Sequence, residues 1–179
     1  TIGRLEAKKN TVNLIKAFSL FKARRGVGDP NNLVLVGSPG FGYEDIKRAI
    51  AESSYKDSII QLGYVPEADM PYLINAAQAL IHPAWYEGFG IPPLEAIRLN
   101  TIPLVADVSS LPEVVPINQL RFDPLDHRQI AAKMTLIHQA SQVDKKHWLS
   151  LLQDSASKFT WQNTVKQVEK ALLSAAKNR

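Results

Sequence analysis

The chain contains no cysteine, and it lacks a long uninterrupted apolar run. Without cysteine it cannot form a disulfide scaffold or a cysteine-ligated zinc site, and its composition is compatible with a reducing compartment. No apolar run approaches the ~18–20 residues that cross a bilayer, and the first residues lack the charged-then-apolar order of a signal peptide. We therefore expect a soluble chain in the cytoplasm.

Signals for a metal site and for a nucleic-acid surface are also missing. No Asp-x-Asp triplet occurs, and the four histidines, His82, His127, His138 and His147, have no zinc-ligand spacing. His82 ends an apolar run, which is typical of a packed or capping residue. The net charge of +4 comes from scattered basic pairs that are not interleaved with aromatic residues, so we expect no nucleic-acid partner. We predict no metal site and no cofactor.

Short apolar runs alternate with helical patterns along the chain. At 179 residues and 45% hydrophobic content, the chain is long enough to bury one substantial core, which predicts a single domain over residues 1–179. The pattern predicts strands at 1–5, 33–36, 59–62, 79–82 and 102–106, and helices at 11–25 (with Asn10 as N-cap), 43–53, 68–76, 92–99, 129–140, 144–159 and 161–177, with a short turn or helix at 111–115. Strands joined by crossover helices predict an α/β fold with a doubly wound parallel sheet and a helical C-terminal third.

A ligand of such a sheet binds beyond the carboxyl ends of its strands. Four turns of this sequence are predicted to lie at that edge, namely Gly3-Arg4, Gly37-Ser38, Gly63-Tyr64 and Glu87-Gly88. We therefore expect these turns to converge on one site.

The turn that follows the apolar run at 79–82 contains the densest set of polar signals. Gly88 and Gly90 allow a backbone to approach a ligand closely, and the prolines at 92 and 93 suit the first positions of a helix. The N-terminus of that helix favours an anion such as phosphate. Glu87 before the turn and Glu95 in the predicted first helical turn can accept hydrogen bonds from vicinal hydroxyl groups of a sugar or a ribose. Taken singly, Glu95 also suits a helix-dipole role and Glu87 an ordinary solvated acid.

The combination of Tyr86-Glu87-Gly88-Phe89-Gly90 with Glu95 resembles the signature of retaining, nucleotide-sugar-dependent glycosyltransferases of the GT-B fold. The resemblance is to their C-terminal, Rossmann-like donor-binding domain. It implies that Glu87 contacts the hydroxyl groups of the transferred sugar and that Glu95 binds the ribose. It also implies that the loop residues, Gly88, Phe89, Gly90 and Ile91, contact the sugar and the phosphates.

The segment 3–10 is similar to the first motif of the same family. The resemblance implies that Arg4 and Lys9, beside Gly3, bind the donor phosphates and stabilise the departing nucleoside diphosphate, so the implied catalytic set is Arg4, Lys9 and Glu87. Further implied donor contacts are Gly37, Tyr64 and Val65. The chain departs from the family pattern at Asn100-Thr101 and at Ser109-Ser110, where glycines are common, which affects the expected shape of the donor loops.

The resemblance implies a metal-independent hexosyltransferase that uses a UDP-, GDP- or ADP-sugar to extend a polysaccharide or a lipid-linked glycan. The N-terminal acceptor domain is absent from this chain, which we expect to bind donor without turning it over. Through the full-length protein we expect peripheral association with the inner membrane surface. Two alternatives remain open at this point, a sugar-nucleotide epimerase-like domain and a non-catalytic sensor or scaffold that binds a nucleotide sugar.

Overall fold

The computed structural model describes residues 1–26 and 28–177. Five strands are present: β1 (Leu33–Val36), β2 (Ile59–Gly63), β3 (Leu80–His82), β4 (Pro103–Ala106) and β5 (Arg121–Phe122). Eight helices accompany them: α1 (Thr11–Arg25), α2 (Tyr43–Glu52), α3 (Met70–Ala76), α4 (Ile91–Arg98), α5 (Leu111–Val114), α6 (His127–Gln139), α7 (Gln142–Ala156) and α8 (Trp161–Lys177). The α/β alternation and the helical C-terminal third are thus confirmed.

Every strand pair is parallel, but the strands form two groups where the sequence predicted one continuous sheet. β1 pairs with β2, and β4 lies between β3 and β5. The segment 1–5, predicted as a strand, makes only isolated parallel bridges from Ile2 to Val36 and from Leu5 to Pro39. Gly3 lies between the bridges with a φ of 139°, a value outside the extended range, so a regular ladder cannot continue through it. Segment 1–5 faces the end of β3 across a small cavity that His82 and Pro83 help to line.

The core lies between the strands and the helices that cover them. All four residues of β4 are buried, as expected for a central parallel strand covered on both faces. α1 packs on α6 along one face, and α4 packs on α7 along the other part of the core. The fully buried side chains include Leu14, Ile97, Leu104, Leu111, Phe122, Ile130 and Leu152.

Two elements near the site differ from the sequence prediction. β5 was not predicted, because two residues are too few to produce a periodic signal. α4 begins at Ile91, one residue before the predicted start, because Gly90 at φ 101° serves as its N-cap.

Most apolar side chains of helix α8 are exposed to solvent, including Val165, Val168 and Leu172. Among the described helices, none combines the length and the apolar character needed to cross a membrane.

Candidate functional site

The carboxylate of Glu87 is held by two side chains from different parts of the chain. Its Oε1 atom accepts hydrogen bonds from Lys9 Nζ at 2.5 Å and from His82 Nε2 at 2.8 Å. The bond from His82, followed by that from Lys9, lowers the pKa of Glu87 to about 2, although partial burial alone would raise it. Glu87 is therefore an ionised, oriented acid at neutral pH, which excludes the ordinary solvated acid left open by the sequence.

The backbone of Glu87 is held as firmly as its side chain. Its N–H donates to Ser109 Oγ at 3.0 Å, and its carbonyl oxygen accepts from Ser110 Oγ at 3.0 Å. Ser109 adopts a positive φ of 49°, a conformation that glycine adopts more readily. The two serines that depart from the family pattern thus hold the Glu87 backbone through two hydrogen bonds. The sequence did not predict these two hydrogen bonds, because they join residues that lie more than 20 positions apart in the chain.

Lys9 reaches Glu87 because the chain turns sharply just before α1. Ala7–Lys9 forms a 3₁₀ turn that ends at Asn10, which is buried and left-handed at φ 58°. The Asn10 side-chain amide donates to the carbonyl oxygens of Pro83 at 3.0 Å and Pro124 at 2.7 Å. Asn10 is the residue before α1, as predicted, but its side chain makes no capping bond to the helix. It instead ties the loop of Lys9 to the chain that follows β3 and β5.

The glycine loop and the start of α4 form the next part of the site. The backbone N–H groups of Gly88, Phe89 and Gly90 have no acceptor among the described residues. Pro92 and Pro93, the second and third helical residues, have no N–H, so the α4 N-terminus offers fewer free amides than a helix without prolines there. Any anion at this edge would be bound chiefly by the loop amides, with the helix dipole as a secondary contribution.

Glu95 lies apart from the Glu87 cluster. It is the fifth residue of α4 and not part of the first turn, so the predicted helix-dipole position is wrong. Partial burial, followed by the negative charge of Glu67, raises the pKa of Glu95 above its ordinary 4.5, and Arg98 only partly opposes them. Because Glu67 follows β2, Glu95 faces the loop that also contains Tyr64 and Val65.

Arg4 and Gly3 lie beside Lys9 on the first loop. The Arg4 side chain is exposed, runs along Gly40 and approaches the Pro39 carbonyl. The Lys9 side chain passes over Gly3, whose missing Cβ would lie 3.6 Å from Lys9 Cε. The two cations of the predicted set are therefore held on one loop.

Gly37 is required by the packing of the protein chain itself. A Cβ atom at Gly37 would lie 2.1 Å from the carbonyl oxygen of Gly3, and its φ is 133°. This explains the glycine without a ligand, and a donor contact by Gly37 stays a prediction. The same applies to Tyr64, which is 74% exposed, and to Val65, which is half-buried.

Phe89 connects the glycine loop to the helical third of the chain. Its ring meets the Phe159 ring edge-on at a centroid distance of 5.2 Å. Phe159 thus packs against the glycine loop. Nearby, Arg98 donates to the Phe159 carbonyl at 2.6 Å.

Two further observations describe the surroundings. A groove of about 700 Å³ between α1 and α2, partly lined by Trp85 and His127, contains neither Glu87 nor Glu95. Across residues 1–26 and 28–177, no group of three or more His, Cys, Asp or Glu side chains is placed to hold a metal ion. Metal independence of the reaction stays a prediction.

Comparison with known proteins identifies the family. The model of the family described as "Glycosyl transferases group 1" matches residues 1–147. The chain belongs to this family. The resemblance to GT-B glycosyltransferases inferred from Glu87, the glycine loop and Glu95 is therefore confirmed.

Curated members of the glycosyl transferases group 1 family include relatives at moderate identity. The chain is 34% identical over 168 residues to O-antigen chain mannosyltransferase B of Escherichia coli, which covers 93% of this chain and 43% of that protein. It is 32% identical over 169 residues to a serotype-specific mannosyltransferase WbdA of Escherichia coli, covering 92% of this chain and 20% of that protein. The chain thus spans less than half the length of these relatives.

Solved structures show the same fold. The catalytic domain of cholesterol-alpha-glucosyltransferase from Helicobacter pylori matches with a TM-score of 0.72 at 21% identity, covering 89% of this chain and 96% of that chain. Anabaena HepE in complex with UDP matches with a TM-score of 0.78 at 21% identity, covering 97% of this chain and 47% of that chain. At this identity the likeness establishes the fold, which is that of a Rossmann-like GT-B domain.

Proposed function

We propose that this chain is the donor-binding, C-terminal domain of a two-domain retaining mannosyltransferase. The observation that carries the proposal is the Glu87 carboxylate, which Lys9 and His82 fix through Oε1. It lies next to the backbone amides of residues 88–90, which have no acceptor in the described parts of the chain. A nucleotide sugar needs both features, an acceptor for sugar hydroxyls and donors for phosphate oxygens.

Within this proposal, each charged side chain of the site contacts a different part of the nucleotide sugar. Glu87 binds the hydroxyl groups of the transferred sugar, and Arg4 and Lys9 neutralise the diphosphate. As the bond to the sugar breaks, the two cations stabilise negative charge on the leaving nucleoside diphosphate without a metal ion. The fixed anion of Glu87 stabilises positive charge that develops at the sugar. Glu95, on the side of Tyr64 and Val65, binds the ribose.

The sugar is proposed from the relatives, since those at 30% identity or more are named as mannosyltransferases. The base is one of uracil, guanine or adenine, and the acceptor is a growing polysaccharide or a lipid-linked glycan. Because the chain spans less than half the length of these relatives, we propose that acceptor binding needs a further domain of the full-length protein and that this chain alone binds donor without transferring it. A cytoplasmic location, with peripheral attachment of the full-length protein to the inner membrane surface, is part of the same proposal.

Binding of donors to this chain tests the first step. GDP-mannose, UDP-glucose and ADP-glucose are titrated by calorimetry, and unfolding is followed at saturating ligand. A ligand at a hundredfold excess over its Kd adds about 2.7 kcal/mol to the free energy of unfolding. We expect GDP-mannose or another mannosyl nucleotide to bind most tightly, and Glu87→Gln to weaken that binding. Absence of binding by every nucleotide sugar contradicts the proposal.

Turnover by the full-length protein tests the rest. Released nucleoside diphosphate is measured with and without acceptor glycan and with and without EDTA, and NMR of the product reports the anomeric configuration. We expect transfer that needs acceptor, survives EDTA and retains configuration. Binding of the donor without any transfer would favour the sensor or scaffold left open by the sequence.

A further inference from the structure

We propose that His82 is a positioning residue that determines which carboxylate oxygen of Glu87 faces the donor sugar. The proposal rests on the proposed function, because it concerns the same sugar-binding acid. His82 ends β3, five residues before Glu87, and 1% of its surface is exposed. It is therefore too deeply placed to contact the donor itself, and any effect on the reaction must pass through Glu87.

The hydrogen bonds of the ring show what it does. His82 Nε2 lies 2.8 Å from Glu87 Oε1, and the ionised carboxylate can only accept, so Nε2 is the donor. His82 Nδ1 is buried and has no partner among the described residues. Within the described residues, the His82 ring therefore uses Nε2 to hydrogen-bond Glu87, while its buried Nδ1 atom stays without a partner. A histidine that served only to fill the core would be replaced there by an apolar side chain without the cost of an unpaired buried nitrogen.

The geometry explains the need for two donors on one oxygen. Lys9 Nζ and His82 Nε2 both bond to Oε1, so Oε2 is the oxygen left to accept hydroxyl hydrogens from the sugar. Lys9 is on a long, flexible side chain, and it is also proposed to bind phosphate. If Lys9 alone held Glu87, the carboxylate would shift whenever the donor phosphates drew the lysine away. The His82 ring, buried at a strand end, keeps the carboxylate in place in both states.

The test uses three variants of this chain and two ligands. His82→Phe keeps the ring shape and removes the donor, and His82→Gln restores an N–H at about the position of Nε2. His138→Phe is the matched control, since His138 is a half-buried ring that packs edge-on against Phe21 away from the site. Each variant is titrated with the mannosyl nucleotide that binds the parent chain and with the free nucleoside diphosphate.

We expect His82→Phe to weaken binding of the intact sugar nucleotide by roughly tenfold and to leave binding of the free diphosphate unchanged, because only the sugar contacts Glu87. His82→Gln should recover most of the loss, and His138→Phe should bind both ligands like the parent. In a Glu87→Ala background, His82→Phe should add no further loss, since the group that it positions is gone.

Other outcomes overturn the inference. Equal weakening of both ligands by His82→Phe, or additive losses with Glu87→Ala, would make His82 a general structural residue. Unchanged binding of the sugar nucleotide by a folded His82→Phe chain would show that Lys9 suffices. If His82→Phe does not fold, two other measurements decide whether His82 positions Glu87. These are the His82→Gln titration and an NMR titration of the Glu87 side-chain carbon. A folded His82→Gln chain with weak sugar-nucleotide binding and a normal diphosphate affinity also contradicts donation from Nε2 as the required contact. Failure of the parent chain to bind any nucleotide sugar would instead refute the proposed function itself.

Discussion

Lys9 Nζ donates to Glu87 Oε1 at 2.5 Å although 78 residues separate them along the chain. The contact joins the first loop to the loop after β3, which belongs to a different group of paired strands. It brings a cation proposed to bind phosphate next to the acid proposed to bind sugar. The two proposed functions are therefore adjacent, as the sugar and the diphosphate are adjacent in a nucleotide sugar.

Replacing Lys9 tests this pairing. Lys9→Met should weaken binding of both the free nucleoside diphosphate and the sugar nucleotide by about 1.5–3 kcal/mol, because a charge-assisted hydrogen bond to phosphate is lost. Calorimetric titration measures it. Lys8→Met is the control, because Lys8 lies one residue away, is 64% exposed and pairs with Glu6. Similar losses in both variants would point to non-specific electrostatic attraction.

Neutralising Glu95 and neutralising Glu87 should have different effects on ligand binding. Glu95→Gln should weaken the free nucleoside diphosphate and the sugar nucleotide alike, since both carry the ribose, by about 1.5–3 kcal/mol. Glu87→Gln should spare the free diphosphate and weaken only the sugar nucleotide. Titration of both ligands into both variants is the measurement. Equal effects of the two ligands in both variants would refute the assignment of sugar and ribose.

The two acids also differ in their response to pH. The pKa of Glu87 is lowered to about 2 and that of Glu95 is raised above 4.5, so Glu95 takes up a proton first as the pH falls. A protonated Glu95 accepts hydrogen bonds from the ribose less well, so affinity for the nucleoside diphosphate should decrease as the pH falls from neutral towards the raised pKa of Glu95. Glu95→Gln should flatten this dependence relative to the parent chain, because the phosphates of the ligand titrate identically in both. A parallel decrease in the variant would assign the effect to the phosphates.

The close approach at Gly37 makes a prediction about stability. Gly37→Ala places a Cβ 2.1 Å from the Gly3 carbonyl oxygen and should lower the free energy of unfolding by at least about 3 kcal/mol. Gly63→Ala is the matched control, with a φ of 68° and no atom within 4 Å of the added Cβ, and should cost about 1–2 kcal/mol. Urea unfolding monitored by circular dichroism distinguishes the two. Equal costs would mean that segment 1–5 adjusts freely.

The buried side-chain amide of Asn10 should contribute more to the free energy of unfolding than the side-chain amide of Asn13 on α1. Asn10→Gly keeps the left-handed conformation and removes the donor to Pro83 and Pro124. This should cost about 2–4 kcal/mol, because the buried Pro83 carbonyl loses its side-chain donor and the Pro124 carbonyl keeps only the longer bond from Asn13. Asn13 also donates to the Pro124 carbonyl, at 3.2 Å and half-buried, so Asn13→Ala should cost about 1 kcal/mol or less. Thermal unfolding gives both values, and an equal cost would contradict a special role for Asn10.

The sequence predicted the parts of the fold that have local causes. Four of the five strands and most helices follow from runs of apolar residues and from capping residues, and β4 was predicted nearly to the residue. The division of the strands into two groups, with segment 1–5 making only isolated bridges, was not predicted, because no local pattern shows the close approach of Gly3 to Gly37. The start of α4 was misplaced because the left-handed cap at Gly90 was not considered.

The sequence predicted which residues form the candidate site, but not the hydrogen bonds between them. Glu87, Glu95, Arg4 and Lys9 are recognisable from motif spacing, whereas the partners of Glu87 are not. His82 looked like an ordinary strand-end residue, and Ser109 and Ser110 looked like departures from a glycine-rich pattern. These contacts arise only when distant segments fold together, so their signal lies in the tertiary structure.

The amide of Asn10 also has a consequence for how the protein is made. Its second acceptor, the Pro124 carbonyl, lies 114 residues further along the chain. A ribosome adds about 5–20 residues per second, so the loop that carries Lys9 waits several seconds for the residue that fixes it. During that interval the nascent chain already has Lys9 and later Glu87, but not the last anchor of their geometry. Donor-binding competence should therefore arise late in synthesis, after Pro124 has left the exit tunnel.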